Sequence, residues 1–457
     1  MTAPTVDGTD AVGDDPVPDE GARSEEPVAP PPRFPWWPAP AAMALALVTR
    51  LPLLGYPKVL VFDEVYYAPD AVDTLQWAAE HGRAKHPPLG KWLFASGIRV
   101  FGFTPFGWRI ASLLAGVVVV GLVAASVRRL TRRNEVAFAA GVLTAADGVM
   151  FTSGRLAMLD VFVALFVMLA VWFLAVAWAA PPGRARLCRW AGLGAAASVG
   201  LGSSVKWSVV LLWPIVLGVL WVVDRRQQPP GRRLRAAALT GVVVLLVPPA
   251  LYLATWAPRE VGSSPVSVSS FVHDQQVVMR FHRDLRPDNR NAAPATSWLL
   301  MQRPTMLFDT DCVPALHHSV VGVCERGPTS TEARIESLTN PAVWIVCMAS
   351  VLGLLALVVV RRSGLALWLL LIAATQWVPW IFNARESYSF YQASLIPVLL
   401  VGAGVVAARG RGRAWTVAAV VVMGSAVGLA VLFYPIWTGL PLTPRAALFR
   451  LWLRGWQ

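Results

Sequence analysis

Two neighbouring carboxylates, Asp63 and Glu64, stand in the stretch YPKVLVFDEVYYAPD, just after the first long apolar run. Adjacent carboxylates beside such a run are costly unless they are solvated, paired or used. A chemical use is general-base catalysis, in which one of them takes the proton of an acceptor hydroxyl. Phe62, Tyr66 and Tyr67 surround the pair, and a partly buried cleft lets neighbours tune a carboxylate's proton affinity. The DE dipeptide by itself does not say which of the two is the base.

Positive groups recur in short motifs elsewhere. His86 and Lys91 stand in HPPLGK, Arg109 in GWRIAS, Arg155 and Asp160 in SGRLAMLD, Lys206 in SSVKWS, and Arg385 in RESYSFYQ. A single Arg or Lys at the end of an apolar span is ordinarily a snorkelling anchor. Several converging on one membrane face would make a pocket for a phosphate or pyrophosphate. His282, Trp298 and Arg303 fall in a second polar stretch, FHRDLRPDNRNAAPATSWLLMQRP, as further substrate contacts. No P-loop, GxGxxG or HExxH sequence is present, so nucleotide-driven chemistry has no support.

The elements that must position these groups are membrane spans. The chain has 457 residues, is 56% hydrophobic and only 15% charged, against roughly 25% charged in soluble domains. Apolar runs at 117–127, 209–223 and 344–360 approach, with their flanks, the roughly 20 residues that cross a bilayer. Eleven spans are predicted, near 38–55, 109–127, 136–152, 157–180, 188–204, 207–223, 237–256, 341–360, 364–382, 388–408 and 414–435. Arg clusters at 128–133, 184–189, 225–235, 361–362 and 409–413 then all fall on one side, which the positive-inside rule makes cytoplasmic. The N-terminus is expected inside and the C-terminus outside. Two long outer connectors, 56–108 and 257–340, are expected to carry short surface helices. The tail from Arg445 is expected to lie along the membrane as an amphipathic helix.

Residues 1–35 are rich in Asp, Glu, Pro and Gly and are expected to be a disordered cytoplasmic tail. The formal net charge of +13 sits between spans, where it suits lipid head groups and not nucleic acid. Cys312 and Cys324 would form a pair if their connector faces an oxidising compartment, and two free thiols are the equal alternative. No metal-ligand spacing is visible.

Taken in order, FDEVYY, HPPLGKWL, GWRIAS, GRLAMLD, SSVKWS, SWLLMQRP and RESYSFYQASLIP resemble the protein O-mannosyltransferase family in its compact actinobacterial form, from Trp36 onward. Two departures stand out: Gly154 separates Ser153 from Arg155, and Gln392 follows Tyr391 where eukaryotic members tend to carry His. The resemblance implies an all-α integral membrane protein with the GT-C glycosyltransferase fold. It also implies a polyprenyl-phosphate-mannose donor and a Ser/Thr hydroxyl on a secreted protein, met near the secretion channel of the plasma membrane. Asp63 and Glu64 match the family's acidic motif, and on that match Asp63 is expected to be the base and Glu64 to orient a neighbour, with the roles interchangeable. Arg109 and Arg385 are expected to hold the lipid phosphate, with Lys91 and Lys206 as weaker candidates. His86, Arg155, Asp160, His282, Trp298, Arg303, Tyr391 and Gln392 are the other expected substrate contacts. Phosphate leaves already charged, so positive side chains suffice and no obligatory metal or other cofactor is expected. Transfer to a lipid or glycan, transfer of another sugar, and a non-catalytic lipid-sugar transporter are the alternatives. A transporter wants polar groups near the bilayer midplane, whereas most charges here sit at span ends.

Overall fold

The structure, a computed structural model, describes residues 1–2, 36–76, 85–262, 267–284, 291–309, 332–383 and 385–456. Cys312 and Cys324 lie outside the described residues.

Helices follow one another as α1 (Pro38–Arg50), α2 (Glu64–Leu75), α3 (Leu89–Phe101), α4 (Pro105–Thr131), α5 (Asn134–Ala145), α6 (Gly148–Ser153), α7 (Asp160–Trp178), α8 (Ala185–Ser203), α9 (Trp213–Gln227), α10 (Pro230–Gly262) and α11 (Val268–Asp284). A short antiparallel pair, β1 (Thr305–Asp309) and β2 (Arg334–Ser337), precedes α12 (Pro341–Arg361), α13 (Gly364–Ile381), α14 (Ile396–Ala407), α15 (Arg413–Thr438) and α16 (Pro444–Leu448). Local chemistry sets the starts. Thr104 caps α4 by accepting from the Gly107 N–H at 3.1 Å, ahead of Pro105, and Asn340 does the same for α12 ahead of Pro341.

Eight helices among the described residues are long and apolar enough to cross a membrane. By this measure of length and composition the expected count of eleven is not confirmed. Helix α1 has 13 residues. The expected span 136–152 breaks where Asp147 turns extended and caps α6 through the Met150 N–H at 2.9 Å. Helix α8 is diluted by Gly, Ala and Ser. The chain is a multi-pass membrane protein all the same, with α4, α7 and α14 at its centre and α10 and α15 on its periphery. The sheet is a departure from an all-helical connector. The tail also departs from a helix lying on lipid, because Leu451 and Trp456 are buried against Phe433 and Trp437 of α15.

Contacts bring the arginine clusters to one end. Arg133 reaches the Ala408 and Gly410 carbonyls, Arg129 reaches Val176, Arg226 lies over Trp178, Gln227 donates to Ala180 and Pro181, and Trp178 abuts Gly364. Helix α7 runs from Asp160 to that end over 19 residues, about 28 Å at 1.5 Å per residue, close to a bilayer core of roughly 30 Å. Asp160 and the groups around it therefore lie at the opposite face.

Candidate active site

The site is built from the start of α2. Phe62 adopts a left-handed backbone, φ +48°, which is uncommon for a bulky residue. Its ring is held edge-on by Tyr388 and Phe390, at 5.7 and 5.6 Å between centroids. The turn delivers Asp63 and Glu64 to two different environments.

Glu64 is fully buried and its carboxylate is saturated. Oε1 accepts from Arg109 Nε at 2.7 Å and from the Ala157 N–H at 2.9 Å. Oε2 accepts from Arg109 Nη2 at 2.8 Å and from the Val61 N–H at 3.0 Å. Arg109 spends its remaining donors on the carbonyls of Leu54, Pro57 and Val59. All five guanidinium N–H groups are thus used inside the protein. One expectation is corrected here: Arg109 has no donor left for a phosphate. Glu64 orients a neighbour, Arg109, and ties together α2, α4 and the 154–160 turn.

Asp63 is half-buried and accepts a hydrogen bond from the Tyr67 hydroxyl one helical turn on. Burial pushes its carboxyl up from 3.8 to about 6, opposed by Lys206 and Lys85 and assisted by Asp160. The Tyr67 hydroxyl is itself held well above the ordinary phenol value by burial and by Asp63 and Asp160, so it stays a donor. Across the site, Lys206 Nζ pairs with Asp160 Oδ2 at 2.8 Å and lies 4.8 Å from the centre of the Tyr391 ring.

Arg385 completes the basic side. Its Nη1 donates to His282 Nδ1 at 2.8 Å, and its Nε is buried without a protein partner among the described residues. Burial, Arg385 and Lys206 lower His282 to about 4, so the ring is neutral, accepts at Nδ1 and carries its proton on Nε2. His86 packs against His282 at 4.8 Å and is likewise held well below its usual value, chiefly by burial. Trp207 donates to the Tyr252 hydroxyl at 2.9 Å, which donates to Gln275 at 2.6 Å, tying α11 and hence His282 to α10.

The structure thus gathers Asp63, His86, Asp160, Lys206, His282, Arg385 and Tyr391. It separates the rest. Lys91 is fully buried against Asp70, 3.3 Å away, so its expected part in phosphate binding is corrected to packing of α3 on α2. Arg155 is corrected as well, because it closes on the carbonyls of Arg50, Pro52 and Leu53 at the end of α1. Trp298 is buried with its indole on the Ala293 carbonyl. Trp298, Arg303 and Gln392 line a separate cavity of only about 10 Å³. Two members of the site have parts the sequence reading did not give them, Tyr67, read there only as an aromatic neighbour, and Lys85. The first could have been found from its i+4 spacing to Asp63, the second from its place before His86. Among the described residues no group of three or more His, Cys, Asp or Glu is disposed to hold a metal.

Residues 85–252 match the sequence model of the dolichyl-phosphate-mannose–protein mannosyltransferases. The chain is 30% identical over 483 residues to the polyprenol-phosphate-mannose–protein mannosyltransferase of Mycobacterium tuberculosis, covering 90% of each chain. It is 29% identical to the Mycolicibacterium smegmatis protein of the same name, covering 95% of this chain and 96% of that one. A solved structure of the S. cerevisiae protein O-mannosyltransferase Pmt1–Pmt2 complex bound to the sugar donor superposes with a TM-score of 0.77 at 13% identity, over 92% of both chains. That likeness shows the GT-C fold.

Proposed function

The chain belongs to the polyprenol-phosphate-mannose–protein mannosyltransferases, and from that premise we propose that it moves mannose from a polyprenyl-phosphate donor to a Ser or Thr hydroxyl of an exported protein, with Asp63 as the base. The observation that carries the assignment is the division of labour between the two carboxylates: Glu64 is saturated by Arg109, while Asp63 is half-buried, titrates near neutrality and sits among cations.

In the step proposed, the acceptor hydroxyl oxygen attacks the anomeric carbon as its proton passes to Asp63. The bond from that carbon to the phosphate oxygen breaks, and its electron pair leaves with the phosphate. Displacement from the opposite side inverts the anomeric centre. The departing phosphate gains no proton. It needs positive charge fixed in advance, because preorganised charge stabilises the transition state without reorganisation. Arg385, with a donor to spare at Nε, and Lys206 are the groups disposed to supply it. His282 orients Arg385 through Nδ1, its own ring N–H being held by the Lys85 backbone carbonyl. On this reading no metal is required, and activity persists in excess EDTA.

The arginine-rich end is assigned to the cytoplasm by the positive-inside rule. The site then opens on the outer face of the plasma membrane, where an acceptor emerging from the secretion channel meets it. The test is incubation of membranes with labelled polyprenyl-phosphate-mannose and a Thr-rich peptide. Label on the peptide is expected, and label only on lipid or glycan refutes the acceptor assignment.

A further inference from the structure

On the arginine-rich face, α5, α12, α14 and α15 enclose a groove of about 220 Å³ whose lining is almost wholly apolar. Small residues make the hollow: Ala139 and Ala140 of α5, Ala403 and Gly404 of α14, and Ala418 and Ala419 of α15. The α15 wall, Trp415 to Met423, follows the i, i+3, i+4, i+7, i+8 face of one helix. It ends ten positions past the start of α15 at Arg413, about 15 Å deep at 1.5 Å per residue. That depth is half of a roughly 30 Å hydrocarbon core, the depth of one leaflet.

At its mouth the groove meets a second cavity, of about 440 Å³, lined by Arg133, Arg411, Trp415, Thr416 and by Ala408, Gly410 and Gly412. Trp415 belongs to both, and its indole lies so close on Gly410 that a Cβ there would come within 2.1 Å of it. The aromatic ring therefore marks the boundary between an apolar slot and a basic mouth, as an interfacial tryptophan does. Arg133 uses Nε on Glu135 and Nη1 on the Ala408 and Gly410 carbonyls, and its Nη2 has no protein acceptor among the described residues. Arg409 and Arg413 flank the mouth in sequence.

An apolar slot one leaflet deep under a cationic mouth matches one kind of molecule. We propose that this face seats an anionic glycerophospholipid, its phosphate between Arg133 and Arg411 and one acyl chain along α15. The site is remote from the Asp63 cluster, at the other end of α7, so it stands independently of the catalytic assignment.

The test uses full-length protein reconstituted in phosphatidylcholine vesicles with phosphatidylglycerol as the minor component, extracted in mild detergent and weighed intact by native mass spectrometry. Wild type is expected to retain one phosphatidylglycerol. Losing two cations near the surface, each worth roughly 1 kcal/mol toward an anionic lipid, predicts about 30-fold weaker retention in Arg133→Gln/Arg411→Gln. Ala419→Phe, which fills the slot and leaves the mouth intact, is expected to lose the lipid too. Peptide mannosylation by both variants reports that they fold. If the double variant does not fold, competition between the two lipids on wild type decides. The proposal is overturned if wild type retains both lipids alike or neither. Equal retention by the double variant, preference for an added polyprenyl phosphate, or a second copy of the chain on this face without lipid also overturns it.

Discussion

Replacing Glu64 by Gln is nearly isosteric, yet it removes the charge that Arg109 is buried against. Oε1 faces two donors, Arg109 Nε and Ala157 N, and Oε2 faces two more, Arg109 Nη2 and Val61 N. Whichever way the amide is turned, its NH₂ meets two N–H groups, and the guanidinium is left buried without a counter-charge. Breaking one side of a buried ion pair costs roughly 3–5 kcal/mol. Asp63→Asn carries no such cost, since the amide oxygen still accepts from Tyr67, and loss of a positioned base lowers turnover by about 10²–10⁴-fold. The measurements are thermal unfolding of each variant in detergent, donor binding, and initial rates per folded molecule with saturating peptide. Glu64→Gln is expected to unfold at lower temperature and to lose donor binding and turnover together. Asp63→Asn is expected to unfold like wild type, bind donor and fail to turn over. A Glu64→Gln protein with wild-type stability and donor affinity but no turnover would refute that tying role and make Glu64 the base.

Three further outcomes follow from the same geometry. Burial raises Asp63 to about 6, and the base must be ionised, so kcat/KM is expected to fall about tenfold per pH unit below that value. Lys206 holds that carboxyl down, so Lys206→Met is expected to move the acid limb to higher pH; an unmoved limb would assign it to another group. Arg385→Gln is expected to weaken donor binding by about 10- to 150-fold, the range for one hydrogen bond to a charged group at roughly 1.5–3 kcal/mol, with little change in stability. Reporter fusions after Arg133, Arg226 and Arg361 are all expected to report cytoplasm, and one outside signal would break the proposed orientation.

The acidic motif, the basic residues at span ends and the helical class were legible because they rest on local composition and periodicity. The jobs of individual arginines were not. Arg109 at the start of a span reads the same whether it meets a lipid phosphate or the carbonyls of Leu54, Pro57 and Val59, and its partners lie 45 to 55 residues away. Arg155 misled for the same reason, its partners lying 102 to 105 residues away. The break at Asp147 did leave a signal, an Asp-Gly step inside an otherwise apolar run. The sheet left little, because its short strands begin 29 residues apart, Thr305 and Arg334.

Glu64 and the proposed base, Asp63, are consecutive residues, and the geometry gives a reason. Ala157, held through its N–H by Glu64 Oε1, lies three residues before Asp160, the partner of Lys206. The same carboxylate fixes Arg109 of α4 and the turn that begins α2. One buried group therefore links Asp63, which takes the proton on the proposed mechanism, to the segment carrying Asp160, whose partner Lys206 would face the departing phosphate. A misplacement of about 1 Å between such groups can cost on the order of 10²-fold in rate. Stability held at Glu64 is thus spent on alignment at Asp63, and the left-handed Phe62, clamped by Tyr388 and Phe390, is the turn that lets adjacent side chains serve opposite ends of that arrangement.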